Sequence, residues 1–414
     1  MRRSLLRRCG AVLLMLTVTM TLLAGIRHTP ANAQDFLVTN TPRAAVQNPT
    51  AQNPAPTTPE APDQPLTQIT ATPRVSAGGF DPSVCAAFTD GRELSAECAA
   101  MIAQFPRPIA EEVPLDGYTL STYTFFRVGP DPTPTFDAPN GNVTGEIPQG
   151  FNFVRAVDLN VDGWLQIEDG RWLQRERARE ANPSYFRGVT LSEETVYPFA
   201  WVLDLSRIHV SRFPGGEWDP STERWLDRYE RVNIFSTAYD DEGWRWYMIG
   251  PNHWVEQRFV AKVQPIAPPS GVSGRWIAVD LYEQTLIAYE DDTPVYATLI
   301  SSGLERTETN EGLFNIWARM PIDPMSGATG APNAYALQSV PWVMYFDGSI
   351  SLHGTYWHDL FGYRQSRGCV NLTISDARWL FEWTGQGLPD ATGNINTPVY
   401  VYSSGEYGVT ASGL

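Results

Sequence analysis

The chain has 414 residues, 43% of them apolar and 12% aromatic, enough to bury more than one core and, at roughly 150 residues per domain, to build two or three. Its formal charge is −16 and Lys262 is its only lysine. That balance argues against nucleic acid as a partner, because binding phosphate needs clustered Lys and Arg, and it favours neutral, zwitterionic or cationic ligands.

The first element is a leader. Arg2, Arg3, Arg7 and Arg8 precede an apolar run from Ala11 to Ile26, followed by Ala31-Asn32-Ala33. Charge, apolar stretch and a small-residue A-x-A site in that order read as a secretory signal peptide over residues 1–33. The run is shorter than the roughly 20 residues that cross a bilayer comfortably, so cleavage is expected and retention as an anchor is the alternative. Removing the leader deletes five arginines and no acid, so the mature chain is more acidic still. Residues 34–78 are dominated by Pro, Thr, Gln, Asn and Ala, a composition that cannot offset its ordering entropy and reads as a flexible linker.

Residues 79–112 carry the next signal. Cys85 and Cys98, placed in an oxidising compartment by the leader, are expected to form a disulfide that clips two short helices together. Cys369 then remains as a leftover thiol. Residues 113–180 and, more weakly, 181–267 look like two copies of one small β module. Gly163-Trp164-Leu165-Gln166-Ile167 and Gly170-Arg171-Trp172-Leu173 are echoed by Gly243-Trp244-Arg245-Trp246-Tyr247 and Asn252-His253-Trp254-Val255, each a strand, a tight turn and a strand. These features resemble bacterial SH3-like domains, a resemblance that implies wall glycan or peptide as a ligand. Trp164, Trp172, Trp244, Trp246 and Trp254 are either a stacking surface or barrel core, and small barrels fill their interiors with such residues. Asp240-Asp241-Glu242 reads as a turn and not as a pair of glycosidase carboxylates.

From residue 274 to 403 the texture changes to alternating strands: Trp276 to Leu281, Thr285 to Glu290, Pro294 to Ser301, Leu313 to Ala318 and Ser349 to His353. Turns at Tyr282-Glu283-Gln284 and Asp291-Asp292-Thr293 separate the first three and predict an antiparallel sandwich. Ser375 is expected to cap a supporting helix with Ala377, Leu380 and Phe381 on one face. Residues 404–414 are read as a tail.

Within this segment a strand ends His353-Gly354-Thr355, and Ser366-Arg367-Gly368-Cys369-Val370-Asn371 follows after a loop. The pattern resembles the signature of the L,D-transpeptidases of the YkuD type. It implies a mainly β chain: a C-terminal β-sandwich of that fold with a short helix, preceded by one or two small SH3-like barrels. It further implies Cys369 as nucleophile and His353 as its base and acid. Tyr335, Thr355, Trp357, Ser366, Arg367 and Asn371 are then the residues nearest substrate. Arg367 is a departure, since that position is often histidine in the family.

The chemistry stands partly without the resemblance. A free thiol in an exported protein is a liability unless it is used, although a small buried hydrophobe is the alternative fate. His353 can lower the thiol pKa by ion pairing and take its proton, and the Gly354 carbonyl can orient the imidazole. The backbone amides of Gly368 and Cys369 are the first candidates for an oxyanion hole. His358 is expected on a loop as a substrate-facing or solvated side chain, with no third ligand to make a metal pair. Thiol and imidazole supply the reacting groups, so no cofactor or metal is expected. The resemblance implies peptidoglycan stem peptides as donor and acceptor, carbapenem-type β-lactams as inhibitors, and a location at the cell wall. A carboxypeptidase acting on the same stems and a wall-binding protein without activity are the alternative functions.

Overall fold

The computed structural model describes residues 80–85, 93–205, 208–217, 224–331, 333–387 and 396–405. The expected leader, the linker and nearly all of the tail lie outside these residues. Ser95 caps the helix Ala96–Gln104 by accepting from the Cys98 amide, and a 3-10 turn, Pro82–Cys85, stands beside it. The Cys85–Cys98 disulfide joins the two. Both cysteines are buried with Phe80, Phe235, Trp246 and Trp254, so the clipped helix rests on the second β module.

The segment 124–180 folds as short, mostly antiparallel strands around Phe126, Val128, Val154, Leu165, Ile167 and Leu173. A second set of short strands, between Phe199 and Val263, surrounds Val202, Ile208, Val232, Ile249 and Val255. Trp164, Trp246 and Trp254 are core residues, while Trp172 and Trp244 are half-buried. Asp240 accepts from the amides of Glu242 and Trp244 and from Trp246 Nε1, so the acidic triplet is a turn.

The C-terminal segment is a sandwich. One sheet runs through Thr293–Leu299, Thr285–Glu290, Arg275–Asp280, Pro398–Tyr402 and Gly312–Asn315. Its turns fall where Gln284 and Asp291 adopt positive φ, as tight hairpins demand. The other sheet carries Ala318–Gly327, Tyr335–Asp347, Ile350–Gly354 and Val370–Leu372. Ile277, Val279, Leu286 and Val399 from the first sheet meet Met344, Leu352, Val370 and Leu372 from the second in one core. The apolar run Leu313 to Ala318 does not form a single strand; pairing stops at Asn315 and resumes at Ala318 with a different neighbour.

The helix Ile374–Thr384 follows the cysteine strand and buries Ala377, Leu380 and Trp383. Its cap is Thr373, whose hydroxyl accepts from the Asp376 amide. Ser375, the expected cap, instead accepts from the Asp116 amide at 3.0 Å. Asp116 in turn takes hydrogen bonds from Trp342 Nε1 and Arg378, tying the entry to the first module against the sandwich.

The two regions also share a sheet. Phe151–Asp158 pairs in parallel with Tyr335–Asp347, matching Phe151 to Tyr335 and Phe153 to Leu337. Phe125 stacks face to face on Tyr356 at 3.7 Å between centroids, in a core that includes Phe153, Val340, Val343 and Ile374.

A buried carboxylate marks the contact between the second module and the sandwich. Glu283 accepts from the Lys262 amide, and its other oxygen has no hydrogen-bond partner. Burial is the main cause that raises its pKa to about 7, against the ordinary 4.5, with nearby Lys262 and Arg245 opposing and Asp280 adding to the rise. Tyr282, Tyr247 and Tyr402 also face this cluster. The folded protein therefore holds a proton that the unfolded chain has lost between these values, and stability falls as pH rises from 4.5 through 7. Glu283→Gln removes that penalty, on the order of 3 kcal/mol above pH 7. Its thermal midpoint is expected to exceed the wild type at pH 8 and to match it at pH 4; equal midpoints at pH 8 would refute the assignment.

Candidate active site

His353 and Cys369 are brought together by strand pairing. Ile350–Gly354 and Val370–Leu372 run parallel, with Leu352 opposite Val370, His353 opposite Asn371 and Gly354 opposite Leu372. Side chains alternate along a strand, so Ser351 and His353 share one face, and the cysteine strand presents Cys369 and Asn371 beside them. The sixteen-residue separation of His353 and Cys369 thus closes into neighbouring strand ends.

His353 is buried, and its Nδ1 lies 3.2 Å from the Gly354 carbonyl. A carbonyl only accepts, so Nδ1 carries the proton and Nε2 keeps its lone pair. This contact is the one that an orienting role for the Gly354 carbonyl requires. Burial pulls the imidazole pKa down to about 4, opposed by the Gly354 hydrogen bond. Cys369 is a half-buried free thiol. Burial pushes its pKa up, with Ser351 offsetting part of the rise. Its sulfur lies 3.7 Å from Ser351 Oγ and 4.0 Å from the Ser349 carbonyl, and no hydrogen bond to His353 is formed. Burial thus disfavours the charged form of both groups, which works against a standing thiolate–imidazolium pair.

The cysteine loop is held internally. Gly368 sits at φ 113°, a conformation that favours glycine, and its amide donates to Ser366 Oγ at 3.2 Å. That amide already has a partner within the loop, so the Cys369 amide is the more available of the two expected oxyanion donors. Ser366 also donates to the Cys369 carbonyl, so its hydroxyl shapes the loop and is not presented to substrate. Thr309, which sequence reasoning missed, donates to the Gly368 carbonyl at 2.7 Å.

Other expected contacts divide by burial. Tyr335 is half-buried close enough to Cys369 for the thiolate charge to raise its pKa, after burial itself. Exposed Arg367 places its guanidinium 5.1 Å from the Tyr335 ring. Half-buried Trp357 lies 5.5 Å from the His353 ring, as a pocket wall would. Thr355 is fully buried; its amide donates to the Leu372 carbonyl, and its hydroxyl has no hydrogen-bond partner.

Asn371 is likewise buried, 2.8 Å from His358 Nε2. His358 is no solvated loop residue, for it is buried and its Nδ1 accepts from the Leu360 amide. Its proton is therefore on Nε2, and the Asn371 carboxamide must turn its oxygen toward it. Burial is the main cause that holds this imidazole near pKa 3. A polar groove of about 920 Å³ lined by Arg107, Glu112, Arg224 and Arg231 contains neither His353 nor Cys369. Among the described residues no group of three or more His, Cys, Asp or Glu could hold a metal ion.

The sequence profile of the YkuD family, described as the L,D-transpeptidase catalytic domain, matches residues 274–401. Those residues are an L,D-transpeptidase catalytic domain. The L,D-transpeptidase segment is similar to the putative L,D-transpeptidase YciB of Bacillus subtilis (strain 168), 28% identical over 121 residues that cover 26% of this chain and 59% of that protein. A solved mutant L,D-transpeptidase of Enterococcus faecium is 27% identical over 32% of this chain and 50% of its own, with a TM-score of 0.27. An L,D-transpeptidase from Mycobacterium smegmatis is 16% identical over 54% of this chain and 93% of its own, with a TM-score of 0.28. The chain thus spans less than two thirds of the curated relative and half of the Enterococcus protein. His353, Cys369 and the sandwich core all fall inside the matched L,D-transpeptidase segment.

Proposed function

We propose that this protein is an exported peptidoglycan L,D-transpeptidase that forms 3→3 cross-links through a thioester on Cys369. The observation that carries the reading is the parallel pairing that sets a free thiol and an Nδ1-protonated imidazole on adjacent strands of an L,D-transpeptidase domain. In the proposed reaction His353 Nε2 takes the thiol proton as sulfur attacks the carbonyl of the third stem residue, an L-centred diamino acid. The Cys369 amide donates to the developing oxyanion. D-alanine leaves as its nitrogen receives the proton from His353, and a thioester remains. A side-chain amine from the third residue of another stem then displaces sulfur, and the thiol is restored. Water in the amine's place gives the carboxypeptidase reaction.

The remaining parts fit that reading. The leader delivers the chain to the wall, the linker gives reach, and residues 113–180 and 181–267 act as SH3-like modules on wall glycan or peptide. Among the described residues no helix is long and apolar enough to cross a membrane. One solved catalytic domain from Enterococcus faecium is described as acylated by ertapenem, which makes a carbapenem a suitable probe of Cys369.

The test is mass spectrometry of the purified protein with disaccharide tetrapeptide from a diaminopimelate-type wall. Loss of D-alanine together with dimer mass is the expected result. Tripeptide without dimer would replace transfer by hydrolysis, and neither product, from any stem tried, would overturn the reading.

A further inference from the structure

We propose that Ser351 is a catalytic residue of this site, one that donates its hydroxyl hydrogen to the Cys369 sulfur and so stabilises the thiolate; the idea rests on the reading of Cys369 as nucleophile. The argument starts from the alternation of the histidine strand. Two positions before His353, Ser351 points to the same face, and it and Cys369 each stand one residue before the first pair, Leu352 opposite Val370. Its hydroxyl lies 3.7 Å from sulfur, within hydrogen-bond reach of so large an atom, and the residue is fully buried.

The direction of that hydrogen bond follows from the third partner. The thiol has one hydrogen, and the Ser349 carbonyl, 4.0 Å away, can only accept it. Sulfur therefore faces Ser351 with a lone pair, and the hydroxyl is the donor. When Cys369 loses its proton to His353 the two contacts change in opposite ways. The carbonyl of Ser349 then faces a negative sulfur and repels it, whereas the hydrogen bond from Ser351 becomes charge-assisted and stronger. Ser351 keeps its own proton throughout; the transferred proton goes from sulfur to His353 Nε2.

This division of labour explains how a thiol can react beside a neutral imidazole. Papain-like sites lower the thiol pKa with an imidazolium, but here burial disfavours that ion. The positive partner is replaced by a neutral donor held rigidly on a strand, and the base acts only as the thiol gives up its proton. The arrangement also holds the sulfur at the front of the strand pair, where the Cys369 amide and Tyr335 lie close to it.

The experiment is the pH dependence of iodoacetamide alkylation of Cys369 in the full-length oxidised protein, followed by mass spectrometry on the tryptic peptide that contains it. Ser351→Ala removes one oxygen and introduces no clash, so the fold is retained, as an unchanged thermal midpoint would register. Its alkylation profile is expected to move to higher pH, with a rate at pH 7.5 about tenfold below wild type. Ser351→Thr, which keeps the hydroxyl, is expected to return toward the wild-type profile. An Ala variant with the wild-type profile would overturn the proposal, as would a Thr variant shifted as far as the Ala variant. Alkylation needs no stem peptide, so failure of the transfer reaction and failure of this inference are read separately.

Discussion

Cys369→Ala is expected to abolish D-alanine release from tetrapeptide stems, at least roughly a thousandfold below wild type, and to leave no carbapenem adduct in the intact mass. The physical reason is that His353 and the backbone amide have nothing to act on once sulfur is gone. Ser351 sits too close to the vacated position to be ignored, yet its hydroxyl has no base within hydrogen-bond distance and cannot substitute. The change removes a half-buried sulfur from a loop held by Ser366 and Thr309, so the fold should survive. Thermal unfolding of the variant checks that point, and D-alanine release at an undiminished rate would eliminate Cys369 as the nucleophile.

Phe125→Ala is the second large effect, on stability. The ring is 1% exposed and stacks on Tyr356, which is itself edge-on to Phe153 and Trp357. Emptying such a site costs about 3–5 kcal/mol, and the lost stacking is part of that figure. Because Trp357 lies against the His353 ring, the cavity opens two residues, Tyr356 and Trp357, from that imidazole. Denaturant unfolding should show a lowered midpoint, and Cys369 alkylation should become faster and less pH-selective as the cleft loosens. An unchanged midpoint would mean that the module and the sandwich are energetically separate.

Much of the sandwich was legible because its signals are local. Alternation and turn residues place Thr285–Glu290 and its neighbours within one or two positions, and the His353 and Cys369 strings carry the site. What escaped depends on partners distant in sequence. Ser375 looked like a cap from its spacing, but Asp116 occupies it and Thr373 takes that place. Ser366 and Gly368 looked available until their mutual hydrogen bond was formed. Asn371 and His358 read as substrate-facing polar groups because nothing in the string reveals that they satisfy each other in the interior. Ser351 was within reach of sequence reasoning, since any residue two before a strand histidine shares its face.

The parallel pair between Phe151–Asp158 and Tyr335–Asp347 also sets a timetable. The Arg155 amide meets the Gln338 side chain across 183 positions of chain, so the strand that begins with Tyr335 cannot be completed while only the N-terminal half is present. Long-range pairing of this kind is slow, because the loop must close before the contacts repay it. On a chain delivered N-terminus first, the first module waits with an open edge until the last third arrives. The His353 and Cys369 strands lie beyond Tyr335 in the chain and pair next to that strand, so the free thiol and the imidazole come together only after the long-range loop has closed.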